Sequence, residues 1–113
     1  RGDLMEKGIE ELSHTRDEVD NMFVQDKSAT FNTARIEALE MQNLFEVAEA
    51  TAITANERKE SRGAHARDDH PERDDENWLK HSIYYAETKE VSKRDVNYRP
   101  KTVQAFQPMV RSY

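Results

Sequence analysis

The segment Ser61 to Asn77, SRGAHARDDHPERDDEN, concentrates the side chains that could do chemistry. His65, Asp68, Asp69 and His70 lie within six residues, with Asp74, Asp75 and Glu76 close behind. Imidazole and carboxylate together suit a divalent metal or an acid–base pair. The spacing points elsewhere. A calcium loop alternates its oxygen ligands around a glycine at the sharp turn, and a helical zinc site needs its histidines at i and i+4; neither pattern is present. Arg62, Arg67 and Arg73 are interleaved with the acids, so an internally ion-paired loop is the simpler account. A small metal-dependent hydrolase working through His65 and His70 is the least supported reading.

Other chemistries fail on residue types. The chain has no cysteine, which removes a thiol nucleophile, a disulfide framework and an iron–sulfur cluster held by its own thiolates. Gly2, Gly8 and Gly63 are its three glycines, so neither a G-x-S-x-G elbow nor a glycine-rich nucleotide loop can form. With 23 Asp and Glu, no carboxylate pair stands out, because most acids in so charged a chain are solvated. His14 and His81 have no evident partner and read as surface side chains. Trp78, Tyr84, Tyr85 and Tyr98 read as the packing of a hairpin rather than a stacking platform. No catalytic, cofactor-binding or metal-binding residue is assigned.

The elements that must position this loop are mainly α-helical. Leu4, Met5, Ile9 and Leu12 form one stripe of a short amphipathic helix over Leu4–Leu12. A polar stretch holding Val19, Met22, Phe23 and Val24 leads to a loop over Gln25–Thr30. A long helix is predicted from Thr33 to about Glu60, with Asn32 as N-cap, Phe31 and Ile36 as a hydrophobic staple, and Gly63 as its C′ residue. At 100° per residue, Arg35, Gln42, Glu46 and Glu49 share one narrow sector, the expected solvent stripe. Ile36, Ala38, Leu39, Met41, Leu44, Phe45, Val47, Ala48, Ala52 and Ala55 occupy most of the remaining girth.

A helix apolar around so much of its circumference must be covered on more than one side, and one shorter helix cannot do that. At least one packing partner lies outside the chain, and Ala48, Ala50, Ala52 and Ala55 mark the expected place of tightest approach. The chain also starts at Arg1, with a helix under way by Leu4, and so reads as a piece of a longer protein. After the loop, Trp78–Tyr85 and Asp95–Arg99 have strand composition and are joined by the charged connection Glu87–Arg94, a small hairpin. Pro100 and Pro108 keep the tail extended. Residues 1–77 are thus a helical-bundle portion with the charged loop 61–77, and residues 78–113 a β-hairpin with a tail.

Apolar residues make up 35% of the 113 and charged residues another 35%, with a mean hydropathy of −1.04, so the core must be small. A formal net charge of −6 repels phosphate backbones and anionic headgroups, which argues against nucleic acid as a partner. No apolar run approaches the roughly 20 residues of a membrane span, so any membrane attachment runs through partners.

The run Glu60-Ser61-Arg62-Gly63-Ala64-His65-Ala66-Arg67-Asp68-Asp69, followed by Pro71-Glu72-Arg73-Asp74-Asp75-Glu76-Asn77-Trp78, resembles the signature of the C-terminal domain of succinate dehydrogenase and fumarate reductase flavoprotein subunits. The likeness extends from Phe31-Asn32-Thr33 to the closing Arg111-Ser112-Tyr113, and His70 stands where the family usually has Phe or Tyr. The run Arg73–Trp78 is closer to the dehydrogenase than to aspartate oxidase. The resemblance implies an antiparallel, spectrin-repeat-like helical bundle, its first helix missing, with a small C-terminal β-hairpin.

The resemblance further implies an intact subunit that oxidises succinate to fumarate. Its upstream domain binds FAD covalently, a capping domain closes on the dicarboxylate, and electrons pass to an iron–sulfur subunit and quinone. Such a complex sits peripherally on the cytoplasmic face of the bacterial inner membrane or the matrix face of the mitochondrial one. No position here matches the family's catalytic, flavin-binding or substrate-binding residues, so the fragment itself is expected to hold no cofactor and to be inactive. The role expected of the loop is an interdomain contact through Arg62, His65, Arg67 and Asp68, clamping the end of the long helix onto the flavin-binding body. The rival reading is a free-standing helical interaction module that covers its apolar face by self-association.

Overall fold

The structure, a computed structural model, describes residues 1–21 and 33–110. The expectations resting on Met22, Phe23 and Val24, on the 25–30 loop, on Phe31 and Asn32, and on Arg111, Ser112 and Tyr113 lie outside the described residues. The elements are α1 (Gly2–Asp20), α2 (Thr33–Glu57), a single turn α3 (Asp75–Trp78), β1 (Lys80–Tyr85) and β2 (Glu90–Asp95). The architecture is mainly helical with a two-stranded antiparallel hairpin, in agreement with the sequence.

Helix α1 runs eight residues beyond the expected Leu12. Its inner stripe is Met5, Ile9, Leu12, Arg16 and Val19, at steps of three and four, and the arginine in fourth place is what disguised the continuation. Leu4, expected in that stripe, is exposed. The helix lies antiparallel to α2: Arg16 contacts Glu46 and Glu49, and the Gln42 side chain donates to Asp20 across 3.4 Å.

Helix α2 corrects the sequence reading in its orientation. The stripe containing Gln42, Glu46 and Glu49 was assigned to solvent, yet it faces α1 and the hairpin, and Glu49 is only 2% exposed. The apolar side is the one left bare, with Ile36, Leu39, Leu44 and Val47 all more than half exposed. Charge pairing explains the inversion, because Arg16 and Lys89 supply cations that a buried carboxylate requires. Around the second half of α2, Ala48, Ala50, Ala52 and Ala55 are half-buried.

The helix also ends at Glu57 rather than Glu60, and Gly63 is not its C′ residue. With φ +60°, Gly63 instead turns the chain between Arg62 and His65, whose N–H and C=O groups pair in both directions at 2.8 and 3.0 Å.

The hairpin is present but its second strand is displaced. The expected strand Asp95–Arg99 is not one; β2 occupies the charged stretch Glu90–Asp95, in register Lys80 with Asp95, Ser82 with Lys93 and Tyr84 with Val91. Trp78 belongs to α3 rather than to β1. A two-stranded sheet with a wet face tolerates charged residues in a strand, so composition misplaced it. The turn Ala86–Lys89 closes with Lys89 in the left-handed region at φ +56°.

The chain is too open for its mass. It exposes 9406 Å², against about 6,400 Å² for a globular monomer of this size. Its radius of gyration is 19.2 Å, against about 13 Å for a compact domain of this length. Trp78 is the one buried apolar side chain among the described residues.

Candidate functional site

Burial concentrates where hydropathy did not suggest it, in the charged segment after α2. Glu60 is completely buried and acts as a hub. Its carboxylate accepts from the Arg62 Nε at 2.9 Å and Nη2 at 3.1 Å, from the Asp74 backbone N–H at 2.9 Å, and from the Arg58 guanidinium. Burial pushes this carboxyl up, but the bonds from Arg62, Asp74 and Arg58 outweigh it and hold the group below its ordinary value. The bond to Glu60, with a second to Asp75, raises Arg62.

Arg58 ties three elements together. Its Nη1 donates to the Trp78 carbonyl at 2.9 Å, and its Nη2 donates to the Lys80 carbonyl and, at 3.4 Å, to Ser82 Oγ on β1. The guanidinium lies 5.3 Å from the Trp78 ring centroid, and Lys93 of β2 sits 3.5 Å from it, so the indole is flanked by cations. Arg62 extends the network outward. It donates at 2.6 Å to Asp75 Oδ1, while Arg73 donates at 2.9 Å to Asp75 Oδ2 and at 3.1 Å to the Met109 carbonyl of the tail.

Arg67 closes the end of α2. It is 5% exposed and donates through Nη1 to the Asn56 carbonyl at 2.6 Å, with Ala55 and Arg58 carbonyls at 3.4 Å. A guanidinium placed on the last carbonyls satisfies orphan acceptors and opposes the negative end of the macrodipole. Its other edge grips Asp69 bidentately at 3.0 and 2.7 Å, and Asp69 Oδ2 accepts the backbone N–H of Gly2, at the start of α1, at 2.8 Å.

One ion pair therefore joins the C-terminal end of α2 to the N-terminal end of α1, each charge at the helix end that favours it. Hydrogen bonding to Arg67, more than any other cause, pulls Asp69 well below the carboxylate range. A Cβ on Gly2 would lie 3.0 Å from both Arg67 Nη2 and Asp69 Oδ2, so the close approach there favours glycine.

His65 donates from Nε2 to the Arg58 carbonyl at 3.0 Å, a bond that fixes the tautomer because a carbonyl can only accept. Ser61 Oγ accepts the Arg67 N–H at 2.9 Å and donates to the His70 carbonyl at 2.8 Å. Asp74 caps α3, accepting from Asn77 N at 3.0 Å.

Of the four expected contact residues, Arg67 and His65 bond carbonyls at and just past the end of α2, Arg62 bonds Glu60 and Asp75, and Asp68 stands exposed with no hydrogen bond or ion pair to the described residues. Sequence reading passed over Arg58 and Glu60, the two central members. An arginine and a glutamate just past a helix end, with Trp78 twenty residues on, offered no recognisable spacing.

A second buried carboxylate sits between the elements. Glu49 is held by Arg16 of α1 and, at 2.7 Å, by Lys89 at the hairpin turn. Burial raises it and the two cations overcome that, leaving it below its ordinary value. Among the described residues no cluster of three or more His, Asp and Glu is placed to hold a metal, and no helix is long and apolar enough to cross a membrane. The three glycines are dispersed, and the hollow of about 550 Å³ beside the hairpin turn is lined by Glu87 and Glu90, which repel a diphosphate.

The described residues form a mainly helical module, latched by an arginine–carboxylate knot and left bare along one side of α2. The family described as fumarate reductase flavoprotein C-term matches residues 1–113, and the chain belongs to it. It is 48% identical over 107 residues to a succinate dehydrogenase flavoprotein subunit of Coxiella burnetii, covering 95% of this chain and 18% of that one. It is 36% identical over 118 residues to the mitochondrial succinate dehydrogenase [ubiquinone] flavoprotein subunit of Oryza sativa, covering 98% and 18%. The FrdA chain of E. coli quinol fumarate reductase, carrying a single substitution, superposes with a TM-score of 0.77 at 33% identity, covering 94% and 19%. The chain thus spans about a fifth of the length of these relatives.

Proposed function

We propose that this chain is the structural C-terminal module of a succinate dehydrogenase flavoprotein subunit, and that the intact subunit oxidises succinate to fumarate with an FAD bound in its upstream domain. Electrons then pass to an iron–sulfur subunit and quinone. The module contributes no reacting group. It presents a shaped surface to the flavin-binding and capping domains, and the complex rests peripherally on the cytoplasmic face of the bacterial inner membrane or on the matrix face of the mitochondrial one.

The observation that carries this reading is the bare side of α2: Ile36, Leu44 and Val47 lie along one face, each more than half exposed. Together with a match over all 113 residues, it favours a module completed by the rest of its own subunit over a self-associating one. Within the interdomain contact, the roles of Arg62, His65, Arg67 and Asp68 divide. The first three hold the loop in shape through bonds within the chain, and Asp68, with its carboxylate open, meets the upstream body.

Asp68→Asn tests this, because it removes no bond inside the module. In the full subunit it should lower the melting temperature by several degrees and reduce retained flavin. Unchanged melting and normal flavin content would remove Asp68 from the contact. Arg62→Ala, which unties the hub, should affect both readouts more strongly.

A further inference from the structure

The tail after the hairpin is unlike the rest of the chain. From Val96 to the C-terminus it holds Arg99, Lys101 and Arg111 and no acid, in a chain of formal net charge −6. From Val96 to Val110 it forms neither helix nor strand. Its large apolar side chains are the four most exposed described: Val103 at 69%, Phe106 at 78%, Met109 at 81% and Val110 at 85%. A solvated terminus is ordinarily polar, and a run of bare Val, Phe and Met invites aggregation unless something covers it.

The segment is nonetheless presented rather than loose. Val96 and Tyr98 line the same hollow as Arg58, Arg62 and Trp78, and Asn97 Oδ1 accepts the Arg99 N–H at 2.9 Å. At the far end Arg73 donates to the Met109 carbonyl at 3.1 Å. The knot around Glu60 therefore grips the tail through Arg73 and Asp75 and sets its course over the surface.

We propose that residues 99–110 are a docking strap that seats Val103, Phe106 and Met109 in an acid-rimmed apolar groove on the upstream body of the same flavoprotein subunit. The inference rests on the family reading above. Three observations choose that occupant. The relatives are about five times as long as this chain, so most of the subunit lies outside residues 1–113 and is covalently attached, at high effective concentration. The strap's cations call for an acidic rim. Its anchor, Arg73, belongs to the same 61–77 loop as Asp68, so the strap continues that contact.

Hydrogen exchange of the amides at Val103, Gln104, Ala105, Phe106, Gln107 and Met109 tests the strap in the complete flavoprotein subunit, alone and with its partner subunits. In the subunit alone these amides should exchange at least about tenfold slower than in the Phe106→Asp variant. The Arg99→Glu, Lys101→Glu double variant should also exchange faster, with a difference that shrinks as salt rises. Fast exchange in the subunit alone that slows only when a partner subunit is added would overturn the proposal and assign the strap to that subunit. Fast exchange in both states would leave the tail with no groove. Failure of the Asp68 test with the strap still protected would discard the loop contact and keep the strap.

Discussion

Two regions of this molecule, similar in size and opposite in composition, behave oppositely. Helix α2 is rich in Ile, Leu, Met, Val and Ala, yet among its described residues only Glu49 is buried. The segment Arg58–Trp78 is mostly charged, yet it contains Glu60, Arg67 and Trp78, all buried. Hydropathy orders them the wrong way round. In the segment after α2 each buried charge meets several partners, and no described buried side-chain polar atom is left unpaired, so the desolvation of Glu60 is offset by charge-assisted bonds from both sides. The apolar girth of α2 has no comparable local solution among the described residues. Charge can therefore be satisfied within a short loop, whereas apolar area needs a second body.

The sharpest way to break the contrast is Glu60→Ala. It leaves Arg58 and Arg62 facing one another without the carboxylate, and removal of one member of a buried ionic network costs about 3–5 kcal/mol. The local opening free energy of amides in residues 58–80, measured by native-state hydrogen exchange in the full subunit, should fall by that order. A loss under about 1 kcal/mol, the range of exposed ion pairs, would make the knot a surface ornament. Glu49→Ala should cost less, about 1.5–3 kcal/mol, because Arg16 and Lys89 are partly exposed and can turn to water. Its effect should be confined to the seam between α1, α2 and the hairpin.

Acid should separate the two regions without mutation. Glu49, Glu60 and Asp69 all titrate below their ordinary values. Their contribution is therefore complete above the unfolded carboxylate values, about 3.9 for Asp and 4.3 for Glu, and is lost as pH falls through the lower folded values. Protection of residues 58–80 should stay level from about pH 8 to pH 5 and decline below about pH 4. The Glu60→Gln variant should show a shallower acid limb, and an unchanged limb would mean that Glu60 is not among the groups responsible.

How far the sequence disclosed this follows from which physical signal each element carries. Helices α1 and α2 were legible from periodicity, and the need for a missing cover from the girth of α2. The direction in which α2 faces was not legible. Glu49 sits on the same stripe as Glu46, and nothing in the spacing says that Arg16, thirty-three residues earlier, and Lys89, forty later, will neutralise it. The reading of the loop as an interdomain contact picked out Arg62, His65, Arg67 and Asp68; the first three bond within the chain around Glu60 and the carbonyls after Ala55, and Asp68 bonds to no described residue. Arg58 escaped because its role depends on the backbone carbonyls of Trp78 and Lys80, and Glu60 because one of its donors is the backbone N–H of Asp74; backbone groups leave no trace in residue identity. Strand β2 was misplaced for the related reason that pairing, not composition, defines an exposed strand.

The smallest expected effect comes from Lys89, where two opposed contributions meet. Its backbone is left-handed at φ +56°, which a non-glycine residue adopts at a cost of about 1 kcal/mol, so Lys89→Gly relieves the turn. The same change removes the bond from Nζ to Glu49, and with the lysine side chain 48% exposed that pair contributes no more than about 1 kcal/mol. The net change in hairpin stability should lie within about 0.5 kcal/mol. Lys89→Met keeps the strained backbone and loses the pair, and should be the less stable of the two variants by roughly 1 kcal/mol in exchange of the β1 and β2 amides. Should the glycine variant instead fall below the wild type by more than about 0.5 kcal/mol, the lysine–glutamate bond outweighs the backbone at this turn, and the hairpin, like the loop before it, is fixed by charge.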